Sequence, residues 1–276
     1  MRRPSAPTAS PSSGRVLILA GSDSGGGAGI QADIKTVTAL GGYAATALTA
    51  ITVQNTLGVS AVHPLPAGLV EAQARAVLDD IGADALKTGM LGRAAVVEAA
   101  ARILDAAAGV PAVVDPVMVA KGGAALLEDP AVDAVRTLLI PRAALLTPNA
   151  PEAAVLTGLA VETTDDLRRA GEALLRLGAA AVLMKGGHIA GGTIVDILMT
   201  PAGETGFEGP RLATRHTHGT GCTLASACAT GLAQGLPLTA AVARAWAYVH
   251  EAILRAPGYG RGHGPLDHAW PLRGGV

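Results

Sequence analysis

The chain has 276 residues, of which 50% are hydrophobic, 16% charged and 2% aromatic, and its formal net charge is −1. This length and hydrophobic content suffice to bury a full core. The near-neutral charge and the scarcity of aromatic rings argue against a nucleic-acid partner, and no apolar run is long enough to suggest a membrane partner.

Strand-like apolar runs alternate with helical patterns along the chain, which favours an α/β fold with a mostly parallel sheet and helices on both faces. The predicted strands cover residues 15–20, 43–50, 85–87, 112–115, 143–146 and 181–185, and a hairpin is expected from 193–199 and 205–212. The predicted helices cover 30–40, 67–81, 94–107, 164–177, 222–233 and 239–254, and one more begins at 151–156. Thr164 is the expected N-cap of the helix 164–177.

The N-terminal segment and the two cysteines indicate the domain organisation and the redox environment of the chain. Residues 1–14 are rich in Ser, Pro and Arg without an apolar segment, so we expect a disordered tail there and a single domain over 15–276. Cys222 and Cys228 would face different directions on one helix, so no disulfide is expected. Free thiols favour a reducing, cytoplasmic location.

In a parallel sheet of this kind, the functional site lies beyond the carboxyl ends of the strands. The first strand is followed by the glycine-rich segment 21–29, which matches neither the P-loop pattern nor the dinucleotide-binding fingerprint of a dehydrogenase. We interpret it as a loop around a small substrate. Asp33, on the helix that follows, is either a substrate ligand or a surface residue that complements the helix dipole. Gln54, predicted in a loop, could pair with an aminopyrimidine edge.

Acidic and basic side chains follow later strands. Asp115 and Glu152 come after successive strands and suggest a magnesium site, because Mg²⁺ binds a few carboxylates together with water and phosphates. Lys185 follows another strand and is a candidate cation for phosphate oxygens.

The segment 217–223, with sequence Thr-His-Gly-Thr-Gly-Cys-Thr, leads into a predicted helix. Unpaired N–H groups and the dipole at a helix N-terminus attract anions, and glycines allow close approach. Gly219, Thr220 and Gly221 are therefore candidates for binding a phosphoryl group. Cys222 lies at the same end, where the pKa of a thiol is expected to be lowered, and is a candidate base.

Together these segments resemble the hydroxymethylpyrimidine kinase / phosphomethylpyrimidine kinase family of thiamine biosynthesis, within the ribokinase-like superfamily. The resemblance runs from about Val16 to Trp270. It rests on residues 20–33, 54–56, 87–91, 115–118, 147–149, 183–188 and 218–223. Ser22, Ser24-Gly25 and Arg215-His216 depart from the residues common in the family.

The resemblance implies a three-layer α/β/α fold and ATP-dependent phosphorylation of 4-amino-5-hydroxymethyl-2-methylpyrimidine and then of its monophosphate. It implies ATP and Mg²⁺ as cofactors, with a monovalent cation as a further candidate, and we expect a homodimer. It places Gly21, Asp33, Gln54, Met90, Val117 and Cys222 around the pyrimidine, and Asn149, Glu152 and Lys185 near the ATP phosphates and metal.

Two alternatives stay open. A pyridoxal or pyridoxine kinase would also phosphorylate a hydroxymethyl group on a heteroaromatic ring. A pyrimidine sensor would keep the fold without phosphoryl transfer, although the presence of Cys222, Glu152 and Lys185 argues against it.

Overall fold

A computed structural model of the protein describes residues 13–118 and 126–274. Its strands, numbered in chain order, are β1 Arg15–Ala20, β2 Tyr43–Leu48, β3 Ala50–Asn55, β4 Gly58–Pro64, β5 Ala85–Thr88, β6 Ala112–Val114, β7 Leu145–Leu146, β8 Val182–Met184, β9 Thr193–Thr200 and β10 Gly203–Pro210.

An eight-stranded sheet has the strand order β10-β9-β8-β7-β6-β5-β1-β2. From β2 to β8 neighbouring strands run parallel, whereas β8–β9 and β9–β10 pair antiparallel. The mostly parallel sheet and the hairpin near residue 202 are therefore confirmed.

Helices cover both faces of this sheet. They are α1 Gly29–Ala39, α2 Ala67–Asp80, α3 Ala94–Ala106, α4 Asp129–Ala134, α5 Ala150–Thr157, α6 Thr164–Arg176, α7 Thr220–Ala233 and α8 Leu238–Leu254. After α4 the chain continues through the π-helical turn Val135–Leu139 and the 3-10 turn Ile140–Arg142.

The alternation of side chains along β1 separates two apolar cores. Leu17 and Leu19 pack with α2, α3 and α6 on one face, while Val16, Ile18 and Ala20 pack with α1, α7 and α8 on the other. Successive side chains of a strand point to opposite faces, so a strand buried on both sides is apolar throughout. The three-layer α/β/α architecture expected from the resemblance is confirmed.

Three local predictions are wrong. The predicted strand 43–50 is interrupted at Thr49, where the backbone N–H bonds to the Ala20 carbonyl and the hydroxyl to the Met90 carbonyl. The chain then forms a separate two-stranded hairpin, β3–β4, so that Gln54 lies on a strand rather than in a loop. The N-cap of α6 is Thr163, which forms a capping box with Asp166, and not Thr164.

Some predictions fall partly outside the described residues. The predicted tail 1–14 is one of them, because only residues 13 and 14 are described. Within the described ranges, none of the helices is long and apolar enough to cross a membrane.

Candidate active site

A cavity of about 890 Å³ opens at the carboxyl edge of the sheet, where parallel α/β folds place their ligands. It is bordered by the chain segments that follow β1, β5, β6, β7 and β8 and by the start of α7. Twelve of the candidate residues line it: Gly21, Gln54, Met90, Asp115, Val117, Asn149, Glu152, Lys185, Gly219, Thr220, Gly221 and Cys222. The fold therefore brings nearly the whole predicted set to one space.

The helix α7 begins at the cavity with Gly219 as its N-cap, in the left-handed conformation with φ 82°. A Cβ atom at Gly219 would lie 1.8 Å from the Gly27 carbonyl oxygen, so no other residue fits here. The positive end of the α7 dipole lies at Thr220, Gly221 and Cys222, which all line the cavity. This arrangement favours an anionic ligand.

Cys222 does not have the lowered pKa that its place on the helix suggested. The pKa of the thiol is raised to about 11, mainly by burial and also by Asp33 and Asp115, while Lys87 and the Gly29 N–H oppose the increase. Near pH 7 the thiol is therefore protonated. Desolvation outweighs the helix dipole, so the expectation of a lowered pKa is corrected.

Lys185 follows β8 and brings its charge to the cavity. Its Nζ lies 3.0 Å from Asp115 Oδ1 and 3.8 Å from Glu152 Oε2. Burial by itself lowers the pKa of Lys185, but the two carboxylates outweigh burial and leave this pKa above its usual value. Lys185 is therefore a fixed positive charge.

Asn149 and Glu152 hold each other at the start of α5. Asn149 Oδ1 accepts from the Glu152 N–H at 2.9 Å, and Glu152 Oε2 accepts from the Asn149 N–H at 2.8 Å, a complete capping box. Burial raises the pKa of Glu152 to about 7, and Asp115 adds to the increase, while Lys185 opposes it.

The donor set at this point fits Mg²⁺. Among the described residues no group of three or more His, Cys, Asp or Glu could bind a metal by itself. Mg²⁺, however, usually keeps several waters and binds one or two carboxylates plus substrate phosphates. Asp115 and Glu152 offer that number of carboxylates, and both line the cavity.

The structure corrects the placement of Asp33, which is fully buried and does not line the cavity. Its carboxylate accepts from Lys87 Nζ at 3.0 and 2.9 Å and from Ser226 Oγ at 2.7 Å. The surface interpretation of Asp33 is therefore wrong, while its role as a substrate ligand stays a prediction. Sequence reasoning also missed Lys87, because nothing local distinguishes a fully buried lysine on a strand from one at the solvent-exposed end of that strand.

In this cavity the N-terminus of α7 and Lys185 meet beside a small-molecule pocket. The fold and the cavity define a class of protein, the ribokinase-like α/β kinases. The model of the family described as phosphomethylpyrimidine kinase matches residues 23–267. The chain belongs to this family.

Individual relatives agree with this assignment. The chain is 53% identical over 257 residues to the hydroxymethylpyrimidine/phosphomethylpyrimidine kinase of Streptomyces coelicolor, covering 93% of this chain and 95% of that protein. It is 53% identical over 255 residues to the thiamine biosynthesis bifunctional protein ThiED of Geobacter sulfurreducens. That match covers 92% of this chain but only 52% of the bifunctional protein, so the chain spans about half of its length.

Among solved structures, the ADP complex of Bacillus subtilis pyridoxal kinase superposes with a TM-score of 0.87 at 36% identity. The match covers 94% of this chain and 98% of that chain.

Proposed function

We propose that the protein transfers the γ-phosphoryl group of ATP to the hydroxymethyl group of 4-amino-5-hydroxymethyl-2-methylpyrimidine, and then a second one to the monophosphate, in thiamine diphosphate biosynthesis. The observation that carries the proposal is that one cavity joins the α7 N-terminus, Cys222 and Lys185 to the pocket formed by Gly21, Gln54 and Met90. Relatives 53% identical to this chain bear the names of enzymes of this pathway.

The proposed pyrimidine pocket is closely fitted around Met90. A Cβ atom at Gly21 would lie 2.4 Å from Met90 Cε, so the absence of a side chain at Gly21 makes room for the methionine. Met90 and Val117 offer apolar contacts to a flat ring, and the Gln54 amide offers both a donor and an acceptor to an aminopyrimidine edge.

The proposed phosphate side consists of the α7 N-terminus, Lys185 and Asn149. The positive end of the helix and the lysine charge stabilise the negative charge on the transferring phosphoryl group, which is the main requirement of phosphoryl transfer. Asp115 and Glu152 would hold Mg²⁺, which neutralises phosphate charge when it is bound.

Cys222 is proposed as the proton acceptor in the first transfer. The substrate hydroxyl oxygen bonds to the γ-phosphorus, the bond to the β-phosphate oxygen breaks, and the hydroxyl proton must leave. In the second transfer the attacking oxygen belongs to a phosphate that is already anionic, so no base is needed. Because the pKa of Cys222 is about 11, the thiolate that accepts the proton is a minor species near pH 7.

A second candidate is pyridoxal kinase activity, favoured by the close superposition on the Bacillus subtilis enzyme. A coupled assay of ATP consumption with hydroxymethylpyrimidine, its monophosphate and pyridoxal separates the candidates. We expect turnover with both pyrimidines. Turnover with pyridoxal alone would replace the proposal, and no turnover with any of the three would favour a sensor.

We also propose a single domain over 15–276, a homodimer and a cytoplasmic location. One sheet built from strands between Arg15 and Pro210 supports the single domain. A single cooperative unfolding transition and a sedimentation mass twice that of the chain are the expected results; two separate transitions or a monomer mass would contradict them.

A further inference from the structure

Two glycine-rich loops meet at the cavity, and one buried hydrogen bond between side chains joins them. His218 Nε2 lies 2.8 Å from Asp23 Oδ2, although the two residues are 195 positions apart in the chain. Asp23 is 1% exposed and His218 is 9% exposed. The contact links the loop after β1 to the loop before α7.

The Asp23 carboxylate also organises its own loop. It accepts from the backbone N–H groups of Gly25 at 2.8 Å, Gly27 at 3.0 Å and Ala28 at 2.8 Å. Burial by itself raises the pKa of Asp23, but His218 and the N–H groups of Ala28 and Gly25 outweigh burial and hold that pKa below its usual value. An ionised carboxylate only accepts hydrogen bonds, so the His218 ring must donate from Nε2.

The backbones of the two loops touch at the same place. A Cβ atom at Gly219 would lie 1.8 Å from the Gly27 carbonyl oxygen, and one at Gly27 would lie 2.5 Å from His218 Cδ2. The loops therefore have no room to slide past each other while the Asp23–His218 pair is intact. The absence of a side chain at Gly27 and at Gly219 allows this approach.

The two loops serve different halves of the proposed reaction. Gly21, Ala28 and Gly29 line the cavity on the acceptor side, and Gly219, Thr220 and Gly221 line it where the phosphoryl group is expected. The distance between them sets the distance from the acceptor hydroxyl to the phosphorus, and transfer rates depend steeply on such distances.

We propose that Asp23 and His218 form a positioning pair that holds the acceptor loop in register with the phosphoryl-binding loop. The pair acts through the two loops and not on the reacting atoms. This inference rests on the proposed function.

The test compares Asp23→Asn, His218→Gln and the double variant with the parent chain, and uses His63→Gln on the exposed face of β4 as the matched control. ADP and phosphorylated acceptor are quantified in the same reaction. A misplaced acceptor lets water attack the γ-phosphorus instead, which converts ATP and water into ADP, inorganic phosphate and a proton.

We expect each single variant to lower kcat for acceptor phosphorylation by about 10²-fold, with a smaller change in KM. ADP formed per phosphorylated acceptor should rise well above one. The double variant should be no worse than the more impaired single variant, because both remove the same contact. The control should keep a ratio of one.

Three outcomes would overturn the pair: rates within threefold of the parent, additive losses with an unchanged ratio, or loss of the folded state by circular dichroism in both single variants. Parent and variants are assayed with hydroxymethylpyrimidine and with pyridoxal. A parent that phosphorylates only pyridoxal contradicts the proposed function. In that case the amount of ADP formed per phosphorylated pyridoxal still tests the positioning pair.

Discussion

Two buried lysine–aspartate pairs in this protein have similar geometry and different surroundings. Lys87 and Asp33 are both fully buried, and Ser226 completes the hydrogen bonds of the carboxylate. Lys185 and Asp115, 3.0 Å apart, keep 13% and 2% of their side-chain surface exposed and line the cavity. We infer that the first pair ties β5, α1 and α7 together, and that the second presents charge to a ligand. On this inference, access to the cavity rather than the type of ion pair separates a structural role from a functional one.

The largest expected effect concerns the fully buried pair, Lys87 and Asp33. Lys87→Met leaves the Asp33 carboxylate buried without its charge partner, which should lower the free energy of unfolding by about 3–5 kcal/mol. The double variant Lys87→Met/Asp33→Leu should recover most of that loss, because no charge is left unpaired. Urea unfolding of both variants measures this. A single variant as stable as the parent would show that Asp33 does not need its partner.

The corresponding change in the cavity-facing pair should affect catalysis. Lys185→Met is expected to lower kcat by about 10²- to 10³-fold, because it removes a positive charge from the phosphoryl site. It should destabilise the fold less than Lys87→Met, since water can reach Asp115 from the cavity. Lys185→Arg, which retains the charge, is the control. If Lys185→Met retained full activity, the assigned difference between the two pairs would be wrong.

Cys222 is within electrostatic reach of both pairs, since its thiol interacts with Lys87, Asp33 and Asp115. Cys222→Ala should slow the first phosphorylation by about 10²-fold and the second by much less. Cys228→Ala, in the core on the same helix, is the matched control. Separate rates on the alcohol and on its monophosphate test this, and equal losses would argue against a base at Cys222.

The pH dependence of the first transfer tests whether Cys222 is the base. A pKa of about 11 means that the thiolate fraction increases about tenfold for each pH unit between pH 7 and 9. The parent kcat/KM for the alcohol should therefore rise with pH, and Cys222→Ala should flatten this slope. An identical slope in parent and variant would assign the rise to another group.

The smallest effects come from adding one methyl group beside each lysine. A Cβ atom at Gly89 would lie 2.9 Å from Lys87 Nζ, and one at Gly221 would lie 3.3 Å from Lys185 Nζ. Gly89→Ala should destabilise the fold by about 1–2 kcal/mol. Gly221→Ala should lower kcat about tenfold without a comparable loss of stability.

Gly68→Ala is the control for both substitutions, because a Cβ atom there would meet nothing within 4 Å. Thermal unfolding and steady-state kinetics on the three variants separate the effects. A reversed pattern, with Gly89→Ala affecting catalysis and Gly221→Ala affecting stability, would contradict the comparison.

The sequence predicted the parts of the structure that depend on local patterns. The alternation of apolar runs and helices predicted the parallel sheet, and the positions of Lys185 and Asp115 after strands brought them to one cavity. The hairpin β3–β4 was missed because its apolar residues Ile51 and Val53 are exposed, which no periodicity rule anticipates.

The errors in the predicted site have a common physical cause. Both the burial of Asp33 by Lys87 and the raised pKa of Cys222 arise from contacts between segments that are distant in the chain. A local signal, such as a place in the first turn of a helix, indicates a dipole but not the desolvation that opposes it. The effects of the dipole and of desolvation on a pKa can be compared only once the packing around the group is known.

The most direct test of the central claim identifies the products that the purified protein forms from ATP, Mg²⁺ and 4-amino-5-hydroxymethyl-2-methylpyrimidine. Mass spectrometry over time should show the monophosphate first and the diphosphate afterwards, with Lys185→Met forming both far more slowly. ADP formation without any phosphorylated pyrimidine, or no reaction at all, would contradict the account.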